Sequence, residues 1–131
     1  MSQLKNALTK SRADQLYEAA SAYAQEDVTG SSDSVSIVLG AAASYSSFKI
    51  EYMVDKLTSH HKEDGTITIS HDGIASYLTS HELNYFEASP FTGIVLGTTL
   101  TGGNVNWTIV TSGVDENLSF RYRITRVPAP V

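Results

Sequence analysis

Phe48, Ile50, Tyr52 and Val54 alternate with Lys49, Glu51, Met53 and Asp55, and further on Phe120, Tyr122 and Ile124 alternate with Arg121, Arg123 and Thr125. Strict alternation suits a half-buried strand, because successive side chains of a strand point to opposite faces of a sheet. The same period recurs at Val35, Ile37 and Leu39, at Ile67 and Ile69, and at Val105, Trp107 and Ile109. Between these runs stand turn signals. Asp64-Gly65 in "HHKEDGT" is expected to close one hairpin, "HDG" at 71–73 a second, and Gly102-Gly103-Asn104 a third. A weaker strand is expected around Ile74 to Leu78. Residues 79–90 then read as an exposed loop that carries His81, Glu82, Tyr85 and Glu87 and ends at Pro90. Seven or so short strands, with no helical pattern long enough for parallel crossovers, predict an all-β fold: an antiparallel β-sandwich or jelly-roll-like domain over residues 31–131.

Residues 1–30 differ in character. Leu4, Leu8, Leu16, Ala20 and Tyr23 fall near helical spacing, "YEAASAYA" is dense in alanine, and Ser11 with Asp14 has the form of a capping box. A helix is expected from about Arg12 to Glu26, as an N-terminal α-helical arm. Its apolar stripe is narrow, so it needs a partner surface, either its own sheet or a neighbouring subunit. The polar stretch "TGSSDS" at 29–34 is expected to link arm and domain.

At 131 residues the chain is the size of one domain, and about two thirds of its unfolded surface can be buried on folding. The net charge is −5 and the basic residues are scattered, so neither nucleic acid nor an anionic membrane is an expected partner. There is no cysteine, which excludes disulfides, thiolate metal sites and a cysteine nucleophile. No stretch approaches the roughly 20 apolar residues of a membrane span, and the N-terminus lacks a signal-like apolar block, so synthesis as a soluble protein is expected.

The candidate chemistry is sparse. His60-His61 with Glu63 and Asp64 contains metal-ligating types, but neighbours on a strand end diverge and the stretch reads as a solvated hairpin. His71 reads as turn chemistry rather than a general base. Glu82 and Glu87 are the one carboxylate pair worth weighing for hydrolysis, with nothing specific in their spacing. The chain holds no G-x-S-x-G elbow and no phosphate loop. No catalytic residue, cofactor or metal is therefore expected, and the protein is read as not an enzyme. The formal glycosylation triplets at Asn106 and Asn117 are discounted. Trp107, the single tryptophan, is expected to anchor the core; the competing reading makes it a sugar-stacking platform with Tyr77 or Tyr85. Arg121 and Arg123 read either as a solvated edge or as partners for acids across a subunit interface.

In order, "FKIEYMV", "DGTITISHDG", "FTGIVLG", "GGNVNWTIVTSG" and "LSFRYRITR" resemble a β-rich module of structural proteins in tailed bacteriophages, over roughly residues 35–126. That resemblance implies virion assembly or attachment and brings no catalytic residues. The resulting expectation is an oligomeric, preferably homotrimeric, capsid decoration or cement protein (or a head-fibre-like one) whose partners are itself and the major capsid protein. Leu4, Leu8, Leu16, Tyr17, Tyr23, Arg121 and Arg123 are the expected assembly contacts. The alternative is a tail-associated or fibre-tip protein that recognises host glycan through His81, Glu82, Tyr85 and Glu87.

Overall fold

The computed structural model describes residues 23–85 and 91–130, with Tyr85 described by its backbone alone. Among the described residues there is no helix, and eight strands follow in order: β1 Ala24–Val28, β2 Ser32–Ala41, β3 Tyr45–Lys56, β4 Lys62–His71, β5 Ser76–Tyr85, β6 Ile94–Thr101, β7 Asn104–Ser112 and β8 Leu118–Pro128. They form two antiparallel sheets, one of five strands in the order β1-β8-β3-β4-β5 and one of three in the order β2-β7-β6.

Alternation decides which side chains meet. Phe48, Ile50, Tyr52 and Val54 of β3, Ile67 and Ile69 of β4, and Leu118 and Phe120 of β8 turn inward from the large sheet. Ile37 and Leu39 of β2 and Val105, Trp107 and Ile109 of β7 meet them from the small one. Trp107 lies at the centre, fully buried, with its ring 5.9 Å from Tyr52, 6.1 Å from Phe120 and 5.6 Å from Tyr122, the last two edge-on. Edge-to-face contact sets the positive rim of one ring against the negative face of another. The core-anchor reading of Trp107 holds, and the exposed sugar platform is excluded by its burial.

Several local expectations change. The helix expected from Arg12 to Glu26 does not reach its end as helix. Ala24, Gln25 and Glu26 belong to β1, which pairs with β8 from Ala24↔Tyr122 to Val28↔Leu118. Pairing to an interior strand there satisfies the backbone and outweighs a weak alanine propensity. The rest of the expected arm, with Leu4, Leu8, Leu16 and Tyr17, lies outside the described residues. The polar stretch after it is a crossover between sheets, tied down by bonds from Thr111 Oγ1 to the Thr29 carbonyl (2.6 Å) and from the Val114 N–H to the Gly30 carbonyl (3.0 Å).

Asp64-Gly65 is not a turn. Both residues sit inside β4, and the β3–β4 hairpin closes earlier, at 57–61, where His60 has φ 63°. The expected strand at Ile74–Leu78 begins at Ser76, leaving Ile74 on the turn. The expected loop over 79–90 is strand through Tyr85: β5 pairs with β4 in register Thr66↔Glu82 and Gly65↔Leu83. Its polar residues concealed the strand. Glu87 lies outside the described residues. The turns at 71–73 and at Gly102-Gly103 form as expected, the latter with φ 60° and 80°, the positive pair that a two-residue hairpin loop needs.

Candidate functional site

The outer faces of the two sheets differ in chemistry. On β8, Arg121 Nη2 lies 2.7 Å from Asp55 Oδ2 and Arg123 Nη2 2.8 Å from Glu51 Oε2, while Lys62 Nζ stands 3.3 Å from Asp55 Oδ1. These pairs stud the outside of the five-stranded sheet. Because β8 lies between β1 and β3, neither arginine guards an edge, and both engage acids of their own chain. Tyr23 joins this face, its ring 5.4 Å from the Arg123 guanidinium.

The three-stranded sheet presents the opposite character. Since Val105, Trp107, Ile109 and Thr111 of β7 turn inward, Asn106, Thr108, Val110 and Ser112 turn out. Register places Ser34, Ser36 and Val38 of β2 beside Val110, Thr108 and Asn106, and Val95, Gly97 and Thr99 of β6 on their other side. None of these side chains ionises. Val95 and Val38 are 65% and 59% exposed, and Val110, directly across from Val95, is 41% exposed. The Asn106 amide is held by Thr99 Oγ1 and the Asn104 carbonyl, both at 3.3 Å. A surface of hydroxyls, amides and valines costs less to dehydrate than a charged one, which must surrender a much stronger hydration shell.

A second feature lies at the side of the sandwich, where β4 and β5 approach β6. Tyr52 points inward from β3 and crosses Gly65, its register partner, to bring its hydroxyl 2.7 Å from His81 Nε2 on β5. Any side chain at 65 would stand in the path of the ring. A cavity of about 320 Å³ opens beside this pair, lined also by Glu63, Leu83, Phe91 and Leu96. Glu63 is buried, and its Oε2 accepts the Phe91 N–H at 2.6 Å. Burial pushes the Tyr52 phenol well above its ordinary range, with the nearby charges of Glu63 and Asp64 adding to the effect. Burial also lowers His81 below its ordinary value of 6.5.

The sign of the His81 shift sets a pH dependence. The unfolded chain binds a proton on this histidine more readily than the fold does, so stability present above about pH 6.5 declines as the pH falls through that value toward the folded one. The melting temperature is expected to drop between about pH 7.5 and about pH 5.5, and His81→Gln is expected to flatten that part of the profile. An unchanged slope in the variant would remove His81 as its source.

The expected loop contacts are thus separated. His81, at the rim of the sandwich and still exposed, turns its Nε2 onto Tyr52, and Glu82, next along β5, faces the outer side opposite Thr66. His71 is structural: its Nδ1 accepts the Gly73 N–H at 3.0 Å, so Nε2 carries the proton and donates to the Tyr45 carbonyl at 2.6 Å. Among the described residues no three His, Cys, Asp or Glu side chains are grouped to hold a metal ion. The uncharged face is hard to see in the sequence because its residues carry no reactive group and come from three separate segments. Its signal was available in the run of unionised outward positions at 34, 36, 38, 95, 97, 99, 106, 108 and 110.

No protein-family model and no curated protein matches the chain. Among solved structures it is similar to part of the tailspike protein of Acinetobacter phage vB_ApiP_P1, with a TM-score of 0.46 and 10% sequence identity, over 82% of this chain and 22% of that one.

Proposed function

We propose that this protein is a non-enzymatic structural component of a bacteriophage virion, a capsid decoration protein that docks on the shell through the outer face of β2, β7 and β6. The observation that carries this reading is the absence, among the described residues, of any ionisable side chain on that face of a chain whose net charge is −5. Charged residues are depleted at the centre of protein interfaces, since each must be desolvated on contact. The ion-paired face of the large sheet stays toward solvent. The phage module that the sequence resembles supports the same assignment.

Cosedimentation with empty capsids of the same phage tests the docking. Ser34→Glu with Ser36→Glu puts two carboxylates on exposed positions of the face and is expected to weaken binding at least tenfold, which is about 1.4 kcal/mol. Ser80→Glu, on the outside of the large sheet, is the control and is expected to bind as the wild type does. Equal binding by both variants would contradict the proposal.

A tail-associated position is the second reading, favoured by the tip of the β4–β5 hairpin. There Ile74 is 87% exposed and Tyr77 half-exposed, its hydroxyl donating to Asp72 Oδ2 at 3.1 Å. An apolar tip of this kind suits contact with a host surface.

A further inference from the structure

Each sheet ends in two edge strands, and an edge presents a row of unpaired N–H and C=O groups that another strand can complete. Three of the four edges carry features that discourage pairing. β1 has only five residues and includes Glu26 and Asp27. β5 carries His81 and Glu82. β2 carries Asp33, is bulged between Val38 and Gly40, and has its Leu39 carbonyl occupied by Arg126 Nε at 2.7 Å. β6, "IVLGTTLT", has no charge and no proline, and it keeps an unbroken register with β7 from Ile94↔Thr111 to Thr101↔Asn104.

The orientation of its free groups follows from one bond. Ser112 N donates to the carbonyl of Gly93, its opposite residue, at 2.8 Å. In an antiparallel ladder the residues that bond the partner alternate with those that do not. Gly93, Val95, Gly97, Thr99 and Thr101 therefore turn their backbone groups to β7, and Ile94, Leu96, Thr98 and Leu100 turn theirs to the other side, where β5 of the facing sheet comes near enough for Thr98 Oγ1 to donate to Ser76 Oγ at 3.0 Å. Among the described residues no strand pairs with that side of β6.

We propose that β6 is the self-association edge of this protein: two copies pair β6 to β6, antiparallel, about a two-fold axis. The two small sheets then merge into one of six strands, in the order β2-β7-β6-β6-β7-β2. A second copy suits this edge for an electrostatic reason. Each chain is net negative, and self-pairing through β1 would bring Glu26 and Asp27 against their own copies, whereas β6 against β6 opposes no charge. The same symmetry is closed, so association stops at the pair. A three-fold ring built by strand addition would need β6 to meet a different edge, and β2 in the same sheet is obstructed by Arg126. The pairing edge is distinct from the face proposed to dock on capsids, and it forms without a particle.

The test uses the full chain alone, by sedimentation velocity across a range of micromolar concentrations. The wild type is expected to run at twice the 14.2 kDa chain mass. Val95→Lys with Thr99→Lys places a lysine on two exposed positions of β6. Antiparallel pairing brings the lysines of both copies onto the same face of two adjacent strands, so the dissociation constant should rise at least tenfold while circular dichroism and melting temperature stay as in the wild type. Amide exchange gives a readout that needs no variant: raising the wild-type concentration should slow exchange over residues 94–101 and leave β1 unchanged. A wild type of single-copy or three-copy mass would overturn the proposal. So would a pair that survives both lysines, or concentration-dependent protection that falls on another edge.

Discussion

Trp107→Ala is expected to cost about 3–5 kcal/mol of folding stability, measured by urea denaturation. The indole fills the centre of the sandwich from the middle strand of the small sheet, and the rings of Tyr52, Phe120 and Tyr122 close around it. Neighbours held in two paired sheets cannot collapse far into the space left behind, so the lost transfer energy and the cavity add. Against a total stability of about 5–15 kcal/mol, such a loss removes a large share of the margin and is expected to lower the urea midpoint markedly. The indole N–H is buried without a hydrogen-bond acceptor among the described residues. Trp107→Phe therefore forfeits volume but no bond and is expected to cost markedly less than alanine. A stable alanine variant would mean that the core does not depend on this ring.

Gly65→Ala carries the second largest expected effect, about 1–3 kcal/mol from overpacking. A Cβ at this position would stand 2.6 Å from the Tyr52 hydroxyl and 2.7 Å from the Glu82 carbonyl. The first contact displaces the phenol from His81; the second strains the β4–β5 ladder, because a backbone oxygen cannot swing aside as a side chain can. In the double variant with Tyr52→Phe the hydroxyl clash is gone, while the contacts with the Glu82 carbonyl and with the ring carbon Cε1, 2.8 Å away, stay. The cycle is expected to show partial rescue, with a coupling of roughly 0.5–1.5 kcal/mol. Full additivity would show that the glycine does not serve the tyrosine.

These two residues also show how far the sequence can be read. The strand around Trp107 and the alternation at 48–55 and 120–125 are legible because one face is solvated and one buried, so the period of two survives in the composition. β5 hides for the converse reason. Its inward positions include His81, and a register shift between Thr68 and Ile69 of β4 changes its partners midway, so no apolar alternation remains to be seen. Gly65 misleads because Asp-Gly is a strong local turn signal. The structure uses the glycine inside a strand to let Tyr52 pass, a long-range requirement that no local pattern states. At the N-terminal side, residues 24–26 read as the end of a helix by propensity and become strand because the edge of β8 is there to pair with them. The charge-free face is written in the residues themselves, yet it becomes a single surface only once β2, β7 and β6 are known to be neighbours.

Arg121 and Arg123 illustrate the same limit for candidate contacts. Their residue type fits an interface, but acids of β3 engage both: Glu51 stands directly across the ladder from Arg123, and Asp55, opposite Ser119, reaches Arg121 diagonally past Met53. Partly exposed pairs of this sort contribute little to stability, about 0–1 kcal/mol each. Their effect is to keep that face hydrated, in contrast to the outer face of β2, β7 and β6, where none of the described side chains ionises.

The most direct measurement of the proposed docking is a cryo-electron density map, at a resolution that separates strands, of a phage particle produced together with this protein. The account predicts an eight-stranded body on the shell with the outer face of β2, β7 and β6 turned to the capsid and the Arg123–Glu51 face turned to solvent. Density that seats the ion-paired face on the shell, or a shell that carries none of this protein, would contradict it.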